Sequence, residues 1–453
     1  MHAPRPPLAR SSHYLSLVTY ACLPTPGYVS FLVMPLPPSS EVAVIGGGPG
    51  GLMAAEVLAE AGAVVTVYEA MPSVGRKFLL AGRGGLNLTH SEPVEQFATR
   101  YGAAEAVIGP TISAFSPNDL AGWCAGLGQD TFVGSSRRVF PAGFRATPLL
   151  RAWLARLADL GVQFRVRHEW QGWGGAPNEL LLADHRGVQN TVHANAVLFA
   201  LGGGSWPRSG SNGVWVEEFA RHDIDVVRLR PANCGFLTQW TDGYRERFGG
   251  TPLKNVAMTF ACTTVRGEAL ITAAGIEGGP VYGVSAELRD EIERVGRAMV
   301  HIDLHPDLTA DALVQRLTRA VPTGASRSMS AVLRAGTGLA PVAVGLVREA
   351  TRNVLPKDID GLAQLLKAVP LMLTGIAPLE RAISSAGGIA LHEIDESFML
   401  RRQPGCFVAG EMLDWEAPTG GFLLQGTFST AVAAAKGAIR WLESPTLSPH
   451  GPC

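Results

Sequence analysis

The chain is poor in the features that mark several common function classes. Its 453 residues include six cysteines (Cys22, Cys124, Cys234, Cys262, Cys406 and Cys453), and no two of them form a CxxC pair. That scatter supplies neither a zinc pattern nor a redox dithiol, and it fits a reducing compartment better than a disulfide framework. An excess of charge of one sign is missing too, with 38 Lys and Arg against 39 Asp and Glu. The formal net charge of −1 argues against a strong electrostatic footprint for nucleic acid, so no nucleic-acid partner is expected. HExxH, a Ser-His-Asp signature and a P-loop lysine motif are all absent, and no metal site is expected. The apolar stretch from Tyr14 to Met34 is interrupted by Pro24 and Pro26, so no stable membrane insertion is expected.

What is present points to a large folded protein. Hydrophobic residues make up 47% of the chain, enough to bury a sizeable core divided over two or three domains. Residues 1–40 differ from the rest: they contain Arg5 and Arg10, many prolines and no acidic residue. Superficially that is a transit-peptide composition, but the proline interruptions favour a poorly ordered extension with Met34 as an alternative start and a cytoplasmic protein. The tail, residues 443–453, is expected to be disordered.

The most informative segment begins at Glu41 and reads EVAVIGGGPGGLMAAEVLAEAGAVVTVYEA. Val42 to Ile45 form a β-branched apolar strand, Gly46, Gly48 and Gly51 supply GxGxxG around Pro49 and Gly50, and a helix runs on towards Gly62. In this pattern Gly46 makes the tight turn, Gly48 lets the backbone approach a pyrophosphate, and Gly51 allows close helix–strand packing. A second strand ends at Glu69, where a carboxylate can bind ribose hydroxyls. GxGxxG alone is weak, since a strand–helix turn can have the same glycines; strand, helix, strand and acid in register point to a dinucleotide.

The choice between FAD and NAD turns on a segment far downstream, PGCFVAGEMLDWEAPTGGFLLQGTFSTAVAAAKGAI. A strand at Cys406 to Ala409 delivers Gly410 and Glu411, and Gly420-Gly421 opens a long helix at Phe422. Flavoproteins with two dinucleotide folds return to their first domain in this way. There an acidic residue lies near the ribityl or pyrophosphate end of FAD, and a helix N-terminus faces the flavin pyrimidine ring, favouring the anionic reduced form. An ordinary strand–turn–helix has the same pattern.

Four segments in order, GRKFLLAGRGGLNLTH, LFALGGGSWPRSGSNG, SSAGGIALHEID and AGEMLDWEAPTGGFLLQGTFSTA, resemble the bacterial BaiN-like NAD(P)/FAD-dependent oxidoreductases over residues 41–442. The resemblance implies that Arg76, Lys77, Gly84, Asn87 and Thr89 wrap the pyrophosphate and flavin side of FAD, and that Gly202 and Gly203 end a strand beside it. Read without it, the first of these segments is a glycine-rich loop with two cations, suited to phosphate and equally to a surface turn. Where many members have Gly-Arg-Cys-Asn, this chain has Gly84-Gly85-Leu86-Asn87 and so no cysteine at the flavin loop. That places it in a less characterised branch and puts a thiol-assisted mechanism and a bile-acid substrate in doubt.

The expected fold class is α/β, with a discontinuous FAD-binding Rossmann domain (41–205 and 384–442) and an inserted β-rich plus helical substrate or lid region (206–383). The insertion's short alternating runs, such as VAMTFACTTV, read as strands, and ADALVQRLTRAV and IDGLAQLLKAV read as helices, with Pro322 and Gly324 marking a break. No second nucleotide fold is expected, because Trp206-Pro207 soon follows the glycines of ALGGGSWPRSG. NAD(P)H as reductant must therefore dock directly over the flavin, unless another donor serves. His90, His392, Tyr244 and Tyr282 are weak proton-donor candidates, and the two histidines lie nearest the cofactor motifs. The expected function is an FAD-dependent oxidoreductase, NAD(P)H-linked, acting on a small organic substrate and reducing an activated C=C bond. The alternative is a flavoprotein in RNA modification or a nonenzymatic flavin-binding protein.

Overall fold

The computed structural model describes residue 36 and residues 40–82, 84–320 and 329–444. The expectations for residues 1–33, for the Pro322–Gly324 break and for most of the tail lie outside the described residues. The final helix continues to Glu443, two residues beyond Trp441.

The first motif folds as its pattern dictates. Strand β1 (Glu41–Ile45) is buried after its first residue, helix α1 (Pro49–Glu60) follows the glycine turn, and β2 (Val64–Glu69) returns parallel to β1. Helix α2 (Arg76–Ala81) and helix α3 (Ala146–Asp159) precede β3 (Gln163–Val166), which extends the sheet beyond β2. On the other side of β1 lie β4 (Ala196–Phe199) and then β5 (Cys406–Val408). The five-stranded parallel sheet therefore runs β5-β4-β1-β2-β3, and the last strand comes from the far end of the chain. Helix α4 (Phe422–Glu443) packs against α1 beneath it. Ala431, Ala434, Ala435 and Ala438 are fully buried, and such small side chains allow close helix contact.

The insertion builds an antiparallel sheet of seven strands, three of which are 251–260, 263–271 and 275–278. Strands Ala298–Asp303 and Val369–Leu373 also join this sheet at its edge. Helices Ala310–Arg319, Met329–Thr337, Pro341–Ala350 and Ile359–Lys367 belong to the same part of the chain. Its apolar core runs from Cys234 to Ala382. Helix Trp215–Arg221, expected within the insertion, instead contributes Trp215 and Phe219 to the first core. The i,i+4 spacing puts both rings on one helix face, and Phe219 lies edge-on to Trp170, Trp173 and Phe199.

Candidate cofactor-binding site

The glycine turn separates three uses of glycine. At Gly46 φ is +107°, and a Cβ would overlap the Ala200 carbonyl beyond β4. At Gly51 a Cβ would overlap the Gly46 carbonyl, so this glycine serves helix–strand packing. Gly48 has an extended backbone (φ −78°, ψ −178°) and nothing within 4 Å of its Cβ position. It faces a cavity of about 390 Å³ that Gly46, Pro49, Gly50, Glu69, Arg76, Lys77, Gly202, Gly410 and Glu411 also line. The N-cap of α1 has no side-chain hydrogen bond, which leaves its first-turn N–H groups for an anion.

Glu69 closes the far side of the turn. Its Oε2 accepts the Gly47 N–H and its Oε1 the Met71 N–H, both at 2.8 Å. Each carboxylate oxygen keeps a further lone pair for a ribose hydroxyl. Burial raises its pKa, opposed by those two N–H groups and by Arg76. Lys77 Nζ donates to Ser205 Oγ at 2.8 Å and to Glu411 Oε2 at 2.6 Å, and Glu411 Oε1 accepts the Ser385 N–H at 2.8 Å. Glu411 therefore lines the cavity while tying α2 to strand Ser384–Ile389. Among the described residues the Arg76 Nε is buried without a partner, a donor that phosphate oxygens in the cavity would satisfy. Cavity size, uncapped helix N-terminus and orphaned guanidinium donor together fit a dinucleotide. Gly203 does not line the cavity, because it packs against the Ser385 side chain.

The remaining sequence-derived residues form a second group outside that cavity. Thr89 and His90 pair with Val139 and Arg138. The close approach that requires glycine at 421 (φ +104°) is to the Thr89 backbone, where sequence reasoning places it against the flavin. Phe422 begins α4 and stacks on the His90 ring at 5.2 Å, and Tyr101 Oη donates to the Phe422 carbonyl at 2.7 Å. Gly420 (φ +126°) packs on the Phe422 ring, and Gly84 has open space at its Cβ position. Among the described residues Asn87 Oδ1 and Thr89 Oγ1 are buried without hydrogen-bond partners, an unusual state for polar atoms and one that a ligand's polar edge would relieve.

Neither histidine reaches the cavity. His90 Nδ1 accepts the Glu92 N–H at 3.3 Å and Nε2 lies 3.2 Å from the Ser136 carbonyl, a pairing that matches the tautomer with its proton on Nε2. Burial holds its pKa below the usual histidine range. His392 is a surface residue, 69% exposed beside Asp225 and Glu393. Tyr244 is buried in the second core, its hydroxyl on the Val342 carbonyl and its pKa pushed up by burial. Tyr282, raised to about 12 by burial, lies outside the cavity as well.

Two residues that sequence reasoning missed secure the turn before α4. Asn233, buried at φ +51°, donates to Ser384 Oγ and the Ala417 carbonyl at 2.8 Å and accepts the Thr419 N–H at 3.0 Å. Arg289 makes a bidentate pair with Glu416, both distances 2.8 Å. The lone sequence signal was an arginine on the apolar face of the helix Ser285–Val295.

The chain is 22% identical over 419 residues to the 3-dehydro-bile acid delta(4,6)-reductase of Clostridium scindens, covering 88% of this chain and 99% of that protein. It is 23% identical over 407 residues to the ribosomal RNA dihydrouridine synthase of Haemophilus influenzae, covering 87% and 98%. Among solved structures, an open flavocytochrome c3 fumarate reductase aligns at TM-score 0.49 and 15% identity, over 90% of this chain and 79% of that one. The 3-ketosteroid-delta4-(5alpha)-dehydrogenase of Rhodococcus jostii aligns at 0.48 and 15%, over 89% and 97%. Among the described residues no helix is long and apolar enough to cross a membrane. The family described as HI0933-like protein Rossmann domain matches residues 40–437, from just before β1 into the last turns of α4, and the chain belongs to that family of FAD-binding oxidoreductases.

Proposed function

We propose that this FAD-dependent oxidoreductase draws its electrons from NAD(P)H and reduces an activated C=C bond in a small organic substrate. The observation that carries the reading is that, among the described residues, one glycine turn, 46–51, opens a dinucleotide cleft beside the parallel sheet, and FAD takes it. Bound there, FAD supplies two-electron redox chemistry. The protein's part is positional. Gly48 leaves room for the pyrophosphate, Arg76 offers it a buried donor, and Glu69 orients the ribose. The uncapped N-terminus of α4 presents N–H groups to negative charge. The two named relatives, a 3-dehydro-bile acid delta(4,6)-reductase and a ribosomal RNA dihydrouridine synthase, support reduction of C=C as the bond class.

Anaerobic mixing of the purified protein with NADH and NADPH, followed by a panel of α,β-unsaturated carbonyl compounds and control ketones, tests both parts. Bleaching of the flavin by one nucleotide and its return with the unsaturated compounds alone is the expected result. A flavin left oxidised by both nucleotides would discard NAD(P)H as donor. Reoxidation by the ketones but not the alkenes would discard the bond class.

A further inference from the structure

A surface beside the second group of site residues is used neither by the cavity nor by the two cores. Strands Thr131–Val133 and Arg138–Pro141 form a hairpin. Phe132, Phe140 and Phe144 contact one another there, with ring centroids 5.8, 4.9 and 5.3 Å apart. Phe132 is 36% and Phe144 49% exposed. Phe144 has φ +57°, a conformation that a bulky residue rarely adopts, and such outliers cluster where function requires a particular orientation. Its carbonyl accepts the Leu86 N–H at 2.8 Å, and a Cβ on Gly85 would stand 3.2 Å from its ring. Backbone contacts to the 84–87 loop therefore hold the ring in solvent.

Three exposed arginines are neighbours of these rings in the chain, Arg137 and Arg138 in the hairpin and Arg145 directly after Phe144. None of them has an ion pair among the described residues, and the nearby Glu92 is taken by Arg100 at 2.8 Å. Arg137 shares the strained backbone, at φ +61°. The patch adjoins the N-terminus of α4, because Arg138 Nε lies 3.7 Å from the Cβ position of Gly420 and Val139 pairs with Thr89.

We propose that this patch is the docking site of the pyridine nucleotide, with the adenine stacked on Phe144 and flanked by the edge of Phe132, and the phosphates held by Arg137, Arg138 and Arg145. The nicotinamide end then extends towards Gly420 and Phe422. The assignment rests on the NAD(P)H reading above and gives it a location. Exposed aromatic faces stack bases of any identity, and guanidinium forks match phosphate oxygens while remaining charged at all relevant pH. Loose arginines beside rings held out by strain suit a ligand that is both planar and anionic. A second copy of the chain would meet like charge across a symmetric contact.

The test is calorimetric titration of the FAD-loaded protein with NAD⁺ and NADP⁺, which bind without reducing the flavin, alongside anaerobic reduction by NADH and NADPH. Arg145→Gln and Phe132→Ala should each weaken binding about tenfold, equivalent to about 1.4 kcal/mol, with FAD content and melting temperature unchanged. Salt should weaken wild-type binding more than that of Arg145→Gln. Equal affinities in wild type and variants, with the wild-type flavin reduced, overturn the patch and leave the donor assignment standing. Binding lost in the variants without reduction of the wild type keeps the site and removes the donor assignment. A wild type that neither binds nor is reduced ends both. Unchanged affinity combined with loss of a dimer in sedimentation assigns the surface to self-association and also overturns the proposal.

Discussion

At Gly48 the main chain is extended and no atom lies within 4 Å of a Cβ position, so only a ligand in the cavity makes a side chain unwelcome. At Gly51 the protein itself objects, through the Gly46 carbonyl. The two glycines should therefore separate binding from folding. Gly48→Val should stay within about 1 kcal/mol of wild-type stability as apoprotein and lose its FAD. Gly51→Val should lose about 3 kcal/mol or more through overpacking, or fail to fold. Urea unfolding of the apoproteins and flavin released on denaturation measure the two effects. A Gly48→Val protein that keeps its flavin would show that the pyrophosphate does not pass this turn. At the same scale, the sequence placed His90 near the cofactor motifs but could not reveal that its ring nitrogens face the Ser136 carbonyl and the Glu92 N–H. Hydrogen bonds to main chain leave no residue-type signal.

Among the elements, the turn 413–421 between β5 and α4 decides where the helix N-terminus points, and it has little regular structure of its own. It is held instead from the second core: Arg289, 1% exposed, grips Glu416, which is 32% exposed, and Asn233 takes Ala417 and Thr419. Arg289→Met should cost about 3 kcal/mol, the low end of the range for breaking a buried pair because Glu416 is partly solvated. It should also lower FAD affinity, because the cap of α4 loses its support. Glu416→Gln should cost less, since its side chain is partly solvated. A double-mutant cycle should return a coupling of about 1 kcal/mol or more; strictly additive losses would mean that the pair does not hold the turn.

For the whole molecule, pH reports how the site and the insertion are buried. His90 and His305 both have pKa values lowered by burial, His305 further by Arg316. Their unfolded forms bind protons more tightly, so the stability that each contributes is complete above the unfolded pKa of about 6.5 and is lost as pH falls through the folded values. Glu69 has the opposite sign, with a folded pKa raised by burial, so its protonation below that value partly offsets the loss. Denaturant midpoints should decline from about pH 6.5 downwards, and His305→Phe should flatten the decline. An unchanged slope in that variant would mean that His305 does not titrate differently in the two states.

The sequence alone determined the β1-α1-β2 unit, the acid at its end, the strand that returns through Cys406 and the helix that begins at Phe422. Each is encoded within about one supersecondary unit by apolar periodicity and by glycines where the backbone must turn. The strands around residues 251–278 were legible for the same reason, whereas Ala298–Asp303 and Val369–Leu373 were not read from the sequence. The tertiary structure decided what no local pattern carries: that Lys77 meets Glu411 across 334 positions, that Gly421 is a glycine because of Thr89, and that helix Trp215–Arg221 packs into the first core. It also gathered Phe132, Phe140 and Phe144 and brought Arg138 beside the cap of α4. These contacts depend on which surfaces meet when distant segments pack, and burial and charge compensation are settled only at that point.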